Sequence, residues 1–563
     1  MTPYTLTIVD LTGIQNYIFG SNRLSDNIGA SYLAQAATDS WVHKLLPQAD
    51  MALEDAPKSL AEIVYSGGGN AVILFRELAA AKKFAKEYSE KLLCAAPGLD
   101  AVIAHYEFDW ETDALGGTNG VLSSAQYKLA QLKRNRLRNT PLAGLGVTLN
   151  CRATMMPAVA WDTPYGSQET RPISAEIAAK NNLTLHKQAD TRLKTYLGWD
   201  QPEQPITKYS LTNQLDQLGR SYGESSYIAV VHADGNGMGK RIKKLIERYD
   251  SPQTNRECVT KLRAFSQAVE QASKTALMNT MNILATKLYL LVDRQNQSIE
   301  APLANDEQLW ADFIEAISPN KIYPEIFPVR PLIFGGDDVT FVCDGRLGLA
   351  LATTYLIEFE RSTQDILKET IYASAGVAIV KAHYPFARAY QLAEELCKHA
   401  KSQTDIDRSM LDWHIAATGI SDELSAIRER EYCVAAGNLT PRPLPLTGDG
   451  LSGRTWATWQ HYQAIFAGFL YPQPKSVASI SDDTKDEDGW NTRTNKLIGL
   501  REVLRKGGNE VKQYLKNFKL PDLPVIPTAT SDMQTTGWDS HYCGYFDAIE
   551  ALDFYLPLAE EIK

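Results

Sequence analysis

The sequence predicts an α+β fold in which one βαββ-type module occurs twice. Each copy begins with a β-prone run that ends in a turn, Tyr4 to Val9 in the first copy and Tyr227 to His232 in the second. Each copy also has two short β-prone runs joined by a glycine-containing turn, which is the pattern of a β-hairpin. Because the same order of elements recurs, we expect two similar sheets flanked by helices.

The first module is predicted to span residues 1–115. Its hairpin turn contains Gly67-Gly68-Gly69, and glycine readily adopts the positive φ angles that a tight turn requires. The other elements are predicted, in chain order, as a helix from Leu24 to Leu46, strands Ile63–Tyr65 and Ala71–Phe75, a helix from Glu77 to Leu93 and a strand from Ala101 to Phe108.

The second module is predicted to span residues 221–425. A long helical region, Arg256 to Arg294, and a polar, proline-containing connector, Gln295 to Pro328, separate its first turn from its hairpin. The other elements are predicted as a helix that begins near Arg241, hairpin strands Arg330–Phe334 and Val339–Val342, a strand from Tyr372 to Val380 and a helix from Phe386 to Lys401.

Two further units complete the predicted organisation. Residues 116–220 form a small, mainly helical unit between the modules, and residues 426–563 form a C-terminal helical domain with helices near 455–470 and 494–518. Four units agree with the length of 563 residues, since a domain has on the order of 150 residues.

Composition narrows the classes of protein that the chain can belong to. A hydrophobic content of 44% with 22% charged residues is typical of a folded globular protein, and the longest apolar runs are too short to cross a bilayer. The first residues lack the pattern of an export signal, so we expect a cytoplasmic protein. The seven cysteines form no CxxC pair, which argues against a disulfide framework and against a four-cysteine zinc site.

One constellation of residues predicts chemistry. Asp234 ends a predicted strand, and Gly235, Gly237 and Gly239 follow it where a helix begins, an arrangement whose backbone amides suit phosphate groups. The hairpin turn Gly335-Gly336-Asp337-Asp338 presents two adjacent carboxylates. Crowded carboxylates favour Mg²⁺ or Mn²⁺, and a pair of such ions activates an attacking hydroxyl and stabilises a leaving pyrophosphate. Together these segments predict nucleotidyl transfer, whereas the hairpin alone could be an ordinary turn with solvated aspartates.

The second module resembles the ferredoxin-like palm domain that GGDEF cyclases share with the large subunit of type III CRISPR effector complexes, the Cas-ten family. The matching segments are residues 234–239, 335–338, 374–378 and 385–401. The first module resembles the amino-terminal palm of that family at residues 10–19 and 29–31, with residues 67–70 at a degenerate hairpin.

The resemblance implies synthesis of cyclic oligoadenylates from ATP, with Asp234, Asp337 and Asp338 as the catalytic and metal-binding residues. Lys401 becomes a candidate for binding the triphosphate, although a lysine at a helix end is also common for structural reasons. The first palm keeps Asp10 but has Gly69-Asn70 in place of the carboxylate pair, so it should bind a nucleotide without activating it. The nucleotide contacts implied are Gly235, Asn236, Gly237, Gly239, Gly335, Gly336, Ser374 and Lys401, with Gly68 and Gly69 in the first palm.

The sequence departs from the family at two points. It has no His-Asp dipeptide, so we expect no nuclease activity, and only Cys151 stands where zinc-binding cysteines are expected. Two alternatives to the adenylate synthase stay open: a scaffold subunit that binds RNA through Lys133, Arg134, Arg136 and Arg138, and a GTP-using cyclase. The expected partners are ATP and RNA or a CRISPR ribonucleoprotein, with no membrane, and a homodimer is left open.

Overall fold

The computed structural model describes residues 3–56, 58–136, 146–163, 169–200, 205–219, 226–296, 305–317, 326–404, 407–416, 423–471 and 489–558. The elements of the first module are β1 (Pro3–Thr12), α1 (Ile14–Phe19), α2 (Leu24–Thr38), α3 (Ser40–Leu45), β2 (Ala61–Gly67), β3 (Asn70–Phe75), α4 (Leu78–Ala95) and β4 (Asp100–Asp109). They form a sheet with the strand order β2-β3-β1-β4, and helices pack on it.

In the described part of the unit between the modules there are three α-helices and one pair of short antiparallel strands. Its first helix packs on the last strand of the first module, and Leu122, Ala125 and Leu129 of that helix are buried there. The elements are α5 (Val121–Asn135), β5 (Ala160–Asp162), β6 (Arg171–Ile173), α6 (Ala175–Lys180) and α7 (Leu183–Tyr196).

The second module repeats the first with additions. The elements are β7 (Tyr227–Gly235), α8 (Met238–Ile246), α9 (Asn255–Asn296), α10 (Asn305–Ile317), β8 (Val329–Gly335), β9 (Asp338–Asp344), α11 (Gly348–Leu367), β10 (Ala373–Lys381), α12 (Phe386–Ser402) and β11 (Met410–Ala416). Its sheet has the order β14-β11-β10-β7-β9-β8, where β14 is the pair Leu444–Pro445 of the C-terminal unit. The strands β10-β7-β9-β8 correspond to β4-β1-β3-β2, so the predicted α+β fold with two repeated modules is confirmed.

The C-terminal unit is mainly helical and also contains short strands. One of them, β14, extends the sheet of the second module by pairing with β11. The elements are α13 (Leu424–Tyr432), β12 (Cys433–Val434), β13 (Gly437–Asn438), β14 (Leu444–Pro445), α14 (Trp459–Leu470), α15 (Thr494–Leu504), α16 (Gly508–Asn517), α17 (Met533–Thr536), β15 (Trp538–Asp539), β16 (Tyr542–Cys543) and α18 (Phe546–Ala551).

The structure differs from the predicted elements at three places. The helix predicted near 494–518 is two helices, α15 and α16, because the chain turns at Gly507, which has φ +119°. The predicted helix from Leu24 to Leu46 is two helices, because Asp39 between them has a non-helical backbone with φ −125° and ψ −89°. The predicted connector contains α10, which the apolar residues Trp310 and Phe313 anchor in the core. The proposed boundaries of the four units stay a prediction. None of the helices described is both apolar enough and long enough to span a bilayer.

The two modules interlock, because the helices that follow the first strand of each module pack on the other module. Phe19 of α1 stacks on Tyr390 of α12 with ring centroids 3.8 Å apart. In the opposite direction, Arg256 and Arg263 of α9 bind the carboxylate of Glu62 in β2, which has no exposed surface. The modules therefore share a hydrophobic cluster and the ion pairs of the buried Glu62.

Helix α12 approaches the sheet closely at Gly376 in β10. A Cβ atom at this position would lie 2.1 Å from the carbonyl oxygen of Ala393 and 2.5 Å from the amide nitrogen of Cys397. Both are backbone atoms of α12, so they cannot move aside independently. Glycine at this position therefore sets the distance at which the helix packs.

We expect Gly376→Ala to lower the free energy of unfolding by about 1–3 kcal/mol, because overpacking would displace α12 from the sheet. Gly146→Ala is the matched control, since a Cβ there would meet no atom of the described residues within 4 Å. Urea unfolding followed by tryptophan fluorescence measures the difference. Equal midpoints for the two variants would contradict the tight contact.

Candidate active site

The three predicted carboxylates converge at one end of the second sheet. Asp234 in β7 and Asp338 in β9 are direct partners across the antiparallel pair. Residues that face each other in such a pair point to the same side of the sheet. The amide of Gly235 donates to the carbonyl oxygen of Asp337 at 3.3 Å, which brings the turn between the strands against the end of β7.

Glycines allow this close approach. Gly336 begins the two-residue turn of the hairpin with φ +68°, a conformation that L side chains rarely adopt. A Cβ at Gly235 would lie 3.0 Å from both Cβ and Oδ2 of Asp337, so a larger residue would push the carboxylate away. Gly237 has φ +69° at the N-cap of α8 and turns the chain from β7 into that helix.

Burial and mutual repulsion perturb two of the carboxyl groups. Burial, and then the charges of Asp234 and Asp338, raise the pKa of Asp337 to about 7. Burial, and then the charge of Asp234, raise the pKa of Asp338 to about 8. The Asp338 side chain is still 38% exposed, so an ion from solution can reach it. Two carboxyls that resist ionisation at neutral pH are ready to be stabilised by a cation.

Lys401 supplies positive charge at the site. Its ammonium group forms an ion pair with Asp234 and donates a hydrogen bond to the carbonyl oxygen of Gly235 at 2.9 Å. The same charge lowers the pKa of Asp337 and of Asp338, against the effect of burial. Lys401 therefore neutralises the cluster in part.

His232 is a site residue that sequence analysis missed. It lies two residues before Asp234 and therefore on the same face of β7. Its Nδ1 lies 3.0 Å from Oγ1 of Thr340 and 3.3 Å from Oδ1 of Asp338. Burial lowers the pKa of His232 to about 4, so the ring is neutral at physiological pH. The two-residue spacing from Asp234 was the signal available in the sequence.

Asn236 and Ser374 are placed beside the site and contact each other. The Ser374 hydroxyl donates to Oδ1 of Asn236 at 3.0 Å, and Nδ2 of Asn236 donates to the carbonyl oxygen of Arg408 at 3.0 Å. Both residues are buried. These bonds hold the loop after β7, while a direct nucleotide contact for either residue stays a prediction.

The donor set suits a hard divalent cation in its chemistry. Within the described ranges, no three His, Cys, Asp or Glu side chains are close enough to ligate one ion as they stand. In this arrangement the carboxylate of Asp234 forms an ion pair with the ammonium group of Lys401. Oδ1 of Asp338 is buried and accepts no hydrogen bond from the part of the chain that the structure describes. An oxygen of this kind is available as a ligand for a cation. A bound cation would stabilise the ionised form of the neighbouring carboxyl groups, whose pKa values are raised.

A cleft of about 650 Å³ lies between the two modules, next to the carboxylates. Gly335 and Asp338 line it from the second module, and Gly68 and Gly69 line it from the first. Arg192 and Arg263 also line it, and each is paired with a carboxylate, Arg192 with Asp39 and Arg263 with Glu62. Among the residues that the structure describes, Asp234, Asp337 and Lys401 do not line this cleft. The structure thus brings both glycine hairpins to one cavity, with Asp338 at its edge.

The first module contains a reduced copy of the site. Asp10 pairs with Asn70 in the register that joins Asp234 to Asp338 in the second module. Lys133 of α5 lies 2.6 Å from Oδ1 of Asp10, as Lys401 of α12 contacts Asp234. Arg136, from the predicted basic patch, binds Asp100, and Arg138 lies outside the described residues.

Two such modules around a shared cleft, one with a carboxylate-tipped hairpin, define a protein with a palm-domain architecture. Residues 227–410 match the family model described as Cas10/Cmr2, second palm domain. This segment of the chain is therefore similar to the second palm domain of that family. The predicted resemblance to this family is confirmed.

Solved structures of Csm1 share the fold. The structure of the Csm1–Csm4 cassette in complex with pppApA is 14% identical in sequence to this chain. The match covers 99% of this chain and 70% of that chain, with a TM-score of 0.50. The cassette in complex with pppApApA gives the same values. Csm1 of T. onnurineus is 15% identical over 99% of this chain and 70% of its own, with a TM-score of 0.48. No curated protein matches the chain.

The raised carboxyl pKa values predict how stability depends on pH. Folded Asp337 and Asp338 keep protons that the unfolded chain releases above about pH 4, so unfolding releases protons and stability falls as the pH rises from about 4 to about 8. In EDTA, we expect Asp338→Asn to be more stable than wild type at pH 8. Its advantage should grow between pH 4 and 8 and then level off.

Thermal melting over this pH range measures the effect. The control is Asp365→Asn, which removes an exposed carboxylate of α11. A difference between Asp338→Asn and wild type that is the same at every pH would contradict the raised pKa.

Proposed function

We propose that the chain is a nucleotidyltransferase that makes cyclic oligoadenylates, or a cyclic dinucleotide, from ATP. We assign it to a type III CRISPR-like antiviral defence, as an effector subunit that RNA activates. One observation carries the proposal: Asp234, Asp337 and Asp338 converge beside a cleft that two interlocked modules share. The match to the Cas10/Cmr2 second palm domain supports it.

The reaction is an in-line displacement at phosphorus. The 3′-hydroxyl oxygen of an acceptor nucleotide bonds to the α-phosphorus of ATP, the bond from that phosphorus to the bridging oxygen of the β-phosphate breaks, and pyrophosphate leaves. The hydroxyl proton passes to water. Little covalent chemistry is left to the protein, so its task is to hold the two nucleotides in line and to stabilise charge.

Asp234, Asp337 and Asp338 would hold Mg²⁺ or Mn²⁺ at this site. When bound, such ions lower the pKa of the attacking hydroxyl and offset the negative charge on the leaving pyrophosphate. Asp234 would exchange part of its contact with Lys401 for the cation. That exchange would free the Lys401 ammonium group to bind the triphosphate.

The first module would hold the acceptor nucleotide. Gly68 and Gly69 have positive φ angles and line the cleft opposite Gly335 and Asp338, so a ligand can approach their backbone closely. The cleft, at about 650 Å³, lies within the usual size range of ligand sites, about 300–1,000 Å³. Because Asn70 stands where the second module has Asp338, this half lacks the carboxylates that would activate a triphosphate.

The partners we propose are RNA and the other subunits of a CRISPR ribonucleoprotein. The support is that the similar Csm1 chains were solved as a cassette with Csm4. We propose no nuclease activity, because the sequence has no His-Asp dipeptide.

The double substitution Asp337→Asn with Asp338→Asn tests the function. We expect pyrophosphate release from ATP with Mn²⁺ to fall by at least about 100-fold, because the charge that binds the ions is lost while the shape is kept. The matched control is Asp200→Asn with Asp553→Asn, which removes two exposed carboxylates elsewhere and changes the net charge equally. Undiminished turnover in the first variant would overturn the assignment of the site.

Mass spectrometry of the products from each of the four ribonucleoside triphosphates, with and without RNA, defines donor, product and trigger. Adenylate rings from ATP are the expected result. Products from GTP alone would favour a GGDEF-type cyclase. The absence of product under every condition, with ATP still bound, would favour a scaffold that only binds nucleotide.

A further inference from the structure

Three side chains near the C-terminal end of α12 contact the sheet beside it. Lys401 contacts Asp234 and the carbonyl oxygen of Gly235. Cys397 donates from Sγ to the carbonyl oxygen of Ser374 at 3.1 Å. On another side of the helix, Nδ1 of His399 lies 2.7 Å from Oδ2 of Asp412 in β11. The position of Lys401 therefore depends on what holds His399 and Cys397.

Asp412 is a buried carboxylate that contacts side chains of two helices, α12 and α13. Its side chain has no exposed surface. Oδ2 faces His399, and Oδ1 accepts from Arg428 of α13 at 2.7 Å. Burial raises the pKa of Asp412, but Arg428 and His399 lower it by more, so the group is ionised. A buried carboxylate of this kind is stable only while its partners stay in place.

The same network continues into the C-terminal unit. Arg428 and Arg442 both donate to Oγ1 of Thr440, at 3.3 and 2.9 Å, and Thr440 donates to Oδ2 of Asp547 in α18 at 2.7 Å. Arg442 also lies 2.8 Å from Oδ1 of Asp547, and neither side chain has exposed surface. An unbroken chain of polar contacts thus links α18 to the end of α12.

This chain of contacts connects parts of the molecule that are far apart in sequence. It crosses from the C-terminal unit through β11 to the helix that carries Lys401, and every link is at hydrogen-bonding distance. Breaking one link leaves buried charges with fewer partners, which costs more than the bond alone would contribute. The remaining groups would shift to recover partners, and the last turn of α12 would shift with them.

We propose that the C-terminal unit positions Lys401 through this chain, with Asp412 and His399 as positioning residues for triphosphate binding. The inference rests on the proposed function, because it takes Lys401 as a ligand of the triphosphate. It assigns to residues 423–558 the task of fixing the affinity of the second module for ATP. A partner that moved α18 would then change ATP binding without touching the cleft.

His399→Ala tests the link next to the site, since the His399 side chain is 37% exposed and its loss leaves the core intact. We expect the Kd for ATP, measured by isothermal titration with Mg²⁺, and the KM to rise about three- to tenfold, the scale of one hydrogen bond. We expect kcat to change less than twofold. His399→Asn, whose amide nitrogen can stand in for Nδ1, should restore both constants.

Glu395→Ala is the matched control, because it removes an exposed side chain from the same helix. Thr440→Val removes the hydroxyl that joins α18 to Arg428, and we expect it to raise the Kd for ATP at least twofold. Wild-type affinity in folded Thr440→Val would overturn the role of α18. Wild-type affinity in His399→Ala would overturn the positioning role altogether.

The binding measurement separates this inference from the proposed function. If wild type binds ATP and His399→Ala binds it more weakly, but neither makes product, the inference stands and the synthase assignment fails. If wild type makes product and His399→Ala has the same Kd and KM, the inference alone fails. If wild type binds no ATP, both fail.

Discussion

Crowding of three aspartate side chains at one end of a sheet is the constraint on which the site depends. Asp234 and Asp338 face each other across two strands, and the glycine turn presses Asp337 against the end of β7. Like charges this close destabilise the folded chain unless they are protonated or neutralised. The ammonium group of Lys401 neutralises part of this negative charge. The repulsion and burial that it does not offset raise the pKa values of Asp337 and Asp338.

The first module shows what the same backbone does without that crowding. With Asn70 in place of a carboxylate, Asp10 forms an ion pair with Lys133, and one cation suffices for one charge. The fold therefore tolerates either arrangement, and the charge cluster of the second module is not required for folding. A feature that costs stability and that the fold does not need is typical of a functional site.

Much of this architecture could be predicted from local sequence. The glycines at 67–69 and 335–336 and the β-prone runs beside them identify both hairpins, because turn chemistry and strand period are local properties. Asp234, Asp337 and Asp338 were predictable because short segments carry them. His232, the Lys133–Asp10 pair and the Asp412 network were not, since each depends on partners that only the folded chain brings together. Helix α10 was not predicted, because polar residues surround it in the sequence.

The exchange of helices between the two modules has a consequence for how the chain can fold and move. Phe19 is buried against the second module, and Glu62 is neutralised by arginines of α9, so each half completes the interior of the other. Neither half separated from the other would keep its apolar and ionic surfaces covered. The halves should form together in one cooperative transition, and rearrangements of the folded chain should be small sliding motions of packed helices rather than a wide separation of the halves.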